Sequence, residues 1–196
     1  MIKIHFVRHG EATEGWTSQD PLLSELGKSQ AQSLIAFVDS VIGKKSINNI
    51  NVISSPLNRC KETASLALEK KYSEVLIDNN FSELPSPTLD LERRVNWLRR
   101  ILPLTWPELL KDKETIESGV NFTQWKENIM SNIYSLNKDT IIFTHFVVIN
   151  TVIGEILKSN KIVNFQPSNC SITEISKIKD ELKIVKLGKS LESRVN

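Results

Sequence analysis

The sequence predicts a three-layer α/β/α sandwich, built on a mostly parallel mixed sheet with an antiparallel hairpin at its C-terminal edge. Three observations predict it. Strand-like apolar runs alternate with stretches of helical spacing along most of the chain. Two of those runs, Ile2 to Val7 and Thr140 to Thr144, stop abruptly at a basic or imidazole side chain. Two alternating segments then close the chain. In open α/β sheets ligands bind beyond the carboxyl ends of the strands, so residues just past those ends are the first candidates for a site.

The first strand sets Ile2, Ile4, Phe6 and Val7 on a largely alternating pattern and ends at Arg8-His9-Gly10. A polar loop from Glu11 to Leu23 contains Pro21. Ser24 is read as the cap of a single helix carrying Ala31, Leu34, Ile35, Val38, Val41 and Ile42, with Gly43 as its stop. Ile50 to Ile53 is the next buried strand. It turns at Ser54-Ser55-Pro56 into a helix with Arg59 in its first turn and Ala64, Ala67 and Leu68 along one side. A short strand, Val75 to Ile77, leads into a segment interrupted by Pro85 and Pro87.

From Leu89 to Leu102 a helix directs Val95, Leu98 and Leu102 inward, and Arg93, Arg94, Arg99 and Arg100 are read as mostly solvated. Asn121 caps another amphipathic helix marked by Phe122, Trp125, Ile129, Ile133 and Leu136. The helix after His145 buries Ile149, Val152, Ile153, Ile156 and Leu157. Ser171 to Ile175 and Leu182 to Leu187 flank Lys179-Asp180 as an edge hairpin, and the tail from Gly188 is expected to fray. The whole, residues 1–196, is read as one domain, with residues 79–137 as a helical insertion that acts as a lid or substrate-selecting subregion.

Composition narrows the function classes. A net charge of +2 offers no basic footprint for nucleic acid. No run reaches the roughly 18 apolar residues that span a bilayer, and the N-terminus enters a strand without a signal segment. Cys60 and Cys170 lie far apart with no C-x-x-C spacing, so they are read as inert thiols in a reducing compartment. The expectation is a cytoplasmic protein with no nucleic-acid and no membrane partner; the oligomeric state stays open.

The chain has no dinucleotide fingerprint and no Gly-Lys-Ser/Thr phosphate loop, and three histidines without ligand spacing argue against a metal site. What remains is Arg8, His9, Arg59 and His145, each at or just past a strand end, with Glu83 nearby in the chain's irregular segment. Guanidinium groups around an imidazole form a trap for a tetrahedral dianion. His9, kept neutral by Arg8 and Arg59, is the candidate nucleophile at phosphorus. Arg8, Arg59 and a protonated His145 would hold the equatorial oxygens, and Glu83 would be the general acid and later the base. Glu11 is read as a loop carboxylate orienting Arg8. His5, in mid-strand, is read as a packed residue.

These stretches carry a resemblance. Arg8-His9-Gly10-Glu11, Ser54 to Ala64 and Thr144-His145 resemble the three signatures of the histidine phosphatase superfamily, which includes the cofactor-dependent phosphoglycerate mutases. Pro21 to Ala31 is similar to that family's loop and helix after the first motif, and Glu117-Ser118 with Phe122 and Trp125 resembles a weaker downstream pattern. The resemblance implies a phosphoglycerate mutase-like fold, His9 as the phosphorylated nucleophile, Arg8, Arg59 and His145 as phosphate ligands, Glu83 as proton donor, and turnover without a metal or other cofactor. Three departures stand out: Gly15 where the family often has Asn, Phe146 where glycine commonly follows the second histidine, and Glu83 outside the usual glycine-rich surroundings, with Glu92 as its competitor. Phe146 is either a substrate-facing aromatic or simple packing. The first expectation is a phosphomonoesterase acting on a small phosphorylated metabolite. A phosphoglycerate-type mutase, a phosphohistidine phosphatase and a non-catalytic phosphate-binding module are the alternatives.

Overall fold

The computed structural model describes residues 1–13, 20–43, 49–69, 75–87 and 90–190. Six strands form one sheet: β1 (Ile2–Arg8), β2 (Ile50–Ser54), β3 (Leu76–Ile77), β4 (Asp139–Thr144), β5 (Ile172–Ile178) and β6 (Glu181–Lys186), in the spatial order β3-β2-β4-β1-β5-β6. The pairs β3–β2, β2–β4 and β4–β1 are parallel, whereas β5 runs antiparallel to β1 and β6 to β5. The mixed sheet and its C-terminal hairpin are those the sequence predicts. The hairpin turns at Lys179, which adopts a φ of 54°.

Among the described residues eight α-helices surround the sheet: α1 (Glu25–Gln32), α2 (Ile35–Ile42), α3 (Asn58–Leu68), α4 (Leu91–Ile101), α5 (Trp106–Leu109), α6 (Lys113–Ser118), α7 (Phe122–Ser135) and α8 (Phe146–Leu157). Strand alternation sorts the core into layers. Ile4, Phe6 and Ile142 meet Ile129 and Ile133 of α7 and Ile149, Val152 and Ile153 of α8 on one face. Val7, Ile141 and Phe143 meet Val38 and Ile42 of α2 and Ala64, Ala67 and Leu68 of α3 on the other. Each fully buried Ile or Phe here contributes about 1.5–3 kcal/mol of transfer free energy, so these layers fix the sheet on which the site is built.

Three expectations need correction, and one falls outside the described residues. The single helix after Ser24 is two, because the Leu34 N–H bonds back to Ala31 and the Ser33 hydroxyl donates to the Gln30 carbonyl, tightening one turn between α1 and α2. The expected helix start at Leu89 lies outside the described residues; α4 follows Asp90, whose carboxylate accepts from the Arg93 N–H. Its inward face carries Trp97 and Ile101 beside the expected Leu98, with Leu102 packed against them, while Val95 is outside this cluster. The tail does not fray at Gly188: the Gly188 N–H donates to Thr173 Oγ1, Ser168 N–H to the Lys189 carbonyl, and Ser190 bridges to Pro167.

A third apolar cluster joins Leu84, Trp97, Leu98, Ile101, Trp106, Leu109 and Phe122 to Val147, and so ties the helices between β3 and β4 to the start of α8. Among the described residues no helix is long and apolar enough to cross a membrane.

Candidate active site

Three neighbouring strands, β2, β4 and β1, end side by side, and each delivers polar residues to the same place. The chain is tied there by His9 N–H to the Thr144 carbonyl (3.0 Å) and Ser55 N–H to the Phe143 carbonyl (3.0 Å). Ser54, Ser55, Thr144 and His145 have no exposed surface. An unpartnered polar group in such a position costs about 1–3 kcal/mol, so their partners define the local structure. The Thr144 hydroxyl donates to the Phe81 carbonyl and thereby fastens the segment leading to Glu83 against the end of β4.

His9 and His145 lie edge to face with ring centroids 5.3 Å apart, and Arg59 reaches both. His9 Nδ1 is 2.7 Å from the Gly10 carbonyl, which can only accept, so Nδ1 bears the proton and Nε2 the lone pair. Arg59 Nε–H donates to that Nε2 at 3.3 Å. Arg59 Nη2 donates to His145 Nδ1 at 3.2 Å, which places the His145 proton on Nε2, donated to Ser55 Oγ at 2.7 Å. Burial first, then Arg59 and Arg8, push the His9 imidazole down to about 3. Burial together with His9, Arg59 and Arg8 holds His145 well below its ordinary value. Both rings are therefore neutral at pH near 7. The charge expected on His145 is absent here, because Arg59 already fills its Nδ1 acceptor and the ring is fully buried.

Arg59 sits in the first turn of α3, where a cation opposes the helix dipole. Asp20 offsets this: its Oδ1 accepts from the Asn58 N–H at 2.7 Å and lies 3.8 Å from Arg59 Nη1. Arg8 points Nη1 at the Pro167 carbonyl (2.7 Å) with Cζ 5.2 Å from the centre of the Phe146 ring, and its buried Nε has no hydrogen-bond partner among the described residues. Glu83 Oε1 accepts from the Leu84 N–H (3.0 Å) and the Val147 N–H (3.2 Å), and burial raises its pKa against the pull of these bonds and of Arg59 and Arg8. Arg8, His9, Arg59, His145 and Glu83 are thus brought together. Glu92 is exposed in the first turn of α4.

Other residues fall differently from expectation. Glu11 does not orient Arg8; its carboxylate accepts from the Ser24 hydroxyl, which in turn caps α1 by accepting from Gly27 N–H. His5 is buried beside Phe37 and Glu174, a packed residue as read. Arg93 pairs outward with Glu114, whereas Arg94 is half-buried on the Trp97–Leu98–Ile101 side of α4, in the field of Arg59 and Glu83. Both cysteines are free, and burial pushes both thiols up, Cys170 to about 12. Cys60 Sγ packs 3.4 Å from His145 Nε2. Gly15 lies outside the described residues. No group of three or more His, Cys, Asp or Glu side chains among the described residues could hold a metal ion.

Several supporting residues escaped the sequence reading. Ser55 is visible only as a turn residue, Asp20 only as one position of the polar Glu11–Leu23 loop, and Asn169, whose Nδ2 donates to the His9 carbonyl at 2.9 Å, not at all. Thr63 Oγ1 accepts from the Gly10 N–H while donating to the Arg59 carbonyl, so one hydroxyl links the first and second motifs.

A family model for the histidine phosphatase superfamily (branch 1) matches residues 4–190, nearly the whole chain. The chain belongs to this superfamily. None of the curated proteins compared with the chain matches it. Solved structures agree on its fold. A phosphoserine phosphatase from Entamoeba histolytica, solved with 3-phosphoglyceric acid, is 20% identical over 98% of both chains with a TM-score of 0.70. An alpha-ribazole phosphatase from Shigella flexneri is 19% identical over 96% of both chains (TM-score 0.73). A phosphoglycerate mutase from Bacillus anthracis is 19% identical over 95% of this chain and 92% of its own (TM-score 0.70).

Proposed function

We propose that this histidine phosphatase is a metal-independent phosphomonoesterase that hydrolyses a small phosphorylated metabolite through a phosphohistidine on His9. The observation that carries the reading is the His9 ring itself: neutral, its Nδ1 proton committed to the Gly10 carbonyl, its Nε2 lone pair turned toward Arg59 and the second imidazole. As Arg59 Nε–H turns from Nε2 to a phosphoryl oxygen, the freed Nε2 lone pair attacks phosphorus while the bond to the leaving oxygen breaks. Arg8 and Arg59 compensate the charge on the equatorial oxygens, a task that in other phosphoryl-transfer sites falls to a metal ion. His145 stays neutral through this step; its Nδ1 accepts from Arg59 Nη2 and so helps hold that guanidinium beside the phosphoryl group.

Glu83, whose carboxyl burial pushes above the usual carboxylate range, is the group that gives a proton to the departing alkoxide. In the second half, its carboxylate takes a proton from water as that water attacks the phosphohistidine, releasing phosphate and restoring His9. The helices of residues 79–137, fastened to α8 through Leu84 and Val147, supply the substrate-selecting wall.

The test is phosphate release from a panel of phosphomonoesters with chelator present, comparing wild type with His9→Ala. Chelator-insensitive release, abolished by the substitution, is expected. Full turnover by His9→Ala, or transfer of labelled phosphoryl to a second acceptor in place of water, would overturn the hydrolase reading.

A further inference from the structure

We propose that Phe146 is a positioning residue for phosphate binding: its ring and the Pro167 carbonyl clamp the Arg8 guanidinium from two sides and leave the Nε–H edge for an oxyanion. This inference rests on reading the site as a phosphate pocket. An arginine side chain has several rotatable bonds, and Arg8 has no ion pair among the described residues to fix it. What fixes it is a π-face 5.2 Å from Cζ and one carbonyl 2.7 Å from Nη1. The buried Nε–H, which has no partner among the described residues, is the donor such an arrangement reserves.

Both halves of the clamp are themselves held. Phe146 is the first residue of α8 and packs on the cluster of Leu84, Trp97 and Val147. The Pro167 loop is pinned by the Ser190 bridge and by Ser168 N–H to the Lys189 carbonyl, and Asn169 ties it to His9. A glycine after the second histidine, as the superfamily commonly has, supplies no such face.

The test titrates inorganic phosphate by calorimetry into wild type, Phe146→Leu, Phe146→Met, Phe146→Tyr, Arg8→Ala and the double variant Arg8→Ala/Phe146→Leu. Phe146→Leu should weaken phosphate binding about three- to tenfold, while Phe146→Tyr, which keeps a π-face, should stay within about twofold of wild type. With Arg8 removed, the leucine substitution should add less than about twofold. Phe146→Met gives the same comparison if the leucine variant does not fold. Wild-type affinity in the leucine or methionine variant, equal weakening with and without Arg8, loss of affinity in the tyrosine variant equal to that in leucine, or no phosphate binding by wild type would each overturn the inference. Phosphate binding with the expected coupling but no turnover of any phosphomonoester would retain it and remove the hydrolase reading. Turnover without dependence on Phe146 would do the reverse.

Discussion

Glu83→Gln isolates one proton. The glutamine Oε1 can accept from the Leu84 and Val147 amides as the carboxylate does, at the same 3.0 and 3.2 Å, so the backbone at the start of α8 keeps its partners. What disappears is the ability to give a proton to the leaving oxygen and to take one from water. For an alkyl phosphate, whose alkoxide is a poor leaving group, this should lower kcat by about 10²–10⁴, or about 3–5 kcal/mol in barrier. For a nitrophenyl phosphate the leaving group needs no proton, so the first transfer should survive. The phosphoenzyme would then wait for unassisted water. Stopped-flow measurement should show a burst of nitrophenolate equal to the enzyme present, followed by slow turnover. The burial that raises the Glu83 pKa also predicts that alkyl phosphate hydrolysis falls as pH rises past that value, whereas the burst does not. Equal loss on both substrates, or a loss under about tenfold on the alkyl ester, would refute proton transfer by Glu83.

Other expectations follow from the same geometry. His9 is held at about 3 against an ordinary 6.5, so the unfolded chain binds the extra proton and stability is lost as pH falls from 6.5 toward 3. Between about pH 7 and pH 5 this one ring should remove about 2 kcal/mol, with His145 acting in the same direction. Urea denaturation at the two pH values should show the loss, and His9→Asn should flatten it; an unchanged slope would contradict the burial of a neutral ring. Ser55→Ala leaves the His145 Nε2–H with no hydroxyl to receive it and should reduce kcat/KM by roughly 5- to 100-fold at about 1–3 kcal/mol of stability. Wild-type kinetics would count against the assigned tautomer. At Gly27 an added Cβ would meet the Glu11 carbonyl oxygen at 2.0 Å, so Gly27→Ala must push α1 off the loop that follows His9. A loss of about 1–3 kcal/mol in thermal or chemical unfolding is expected, and none would contradict the close approach.

What was legible in the sequence was whatever repeats over a few residues. The apolar runs before Arg8 and His145 stop abruptly, and a stop in a two-residue period marks a strand end whatever its neighbours are. The break between α1 and α2 was not legible, because Leu34, Ile35 and Val38 continue the helical spacing straight across it and only the Ser33 hydroxyl reveals the tightened turn. The inward face of α4 was misread for a related reason. Val95 and Leu102 are apolar, but Trp97 and Ile101 join Leu98 on the buried face, and Arg94 shares that side close to the site. Partners across long separations left no local trace: Ser55 and His145 lie 90 residues apart, Asn169 and His9 160, Asp20 and Asn58 38. The tautomers and the neutral His145 belong to the same class, since they depend on which donor reaches which nitrogen.

The most direct measurement of the central claim is to mix the protein with a phosphomonoester, quench within a turnover in alkali, and look by mass spectrometry for one added phosphoryl group and its position. With a nitrophenyl phosphate as the ester, the account predicts an acid-labile, alkali-stable phosphoryl group on His9, abundant in Glu83→Gln and missing from His9→Ala. Rapid hydrolysis with no such adduct, or an adduct on any other residue, would contradict it.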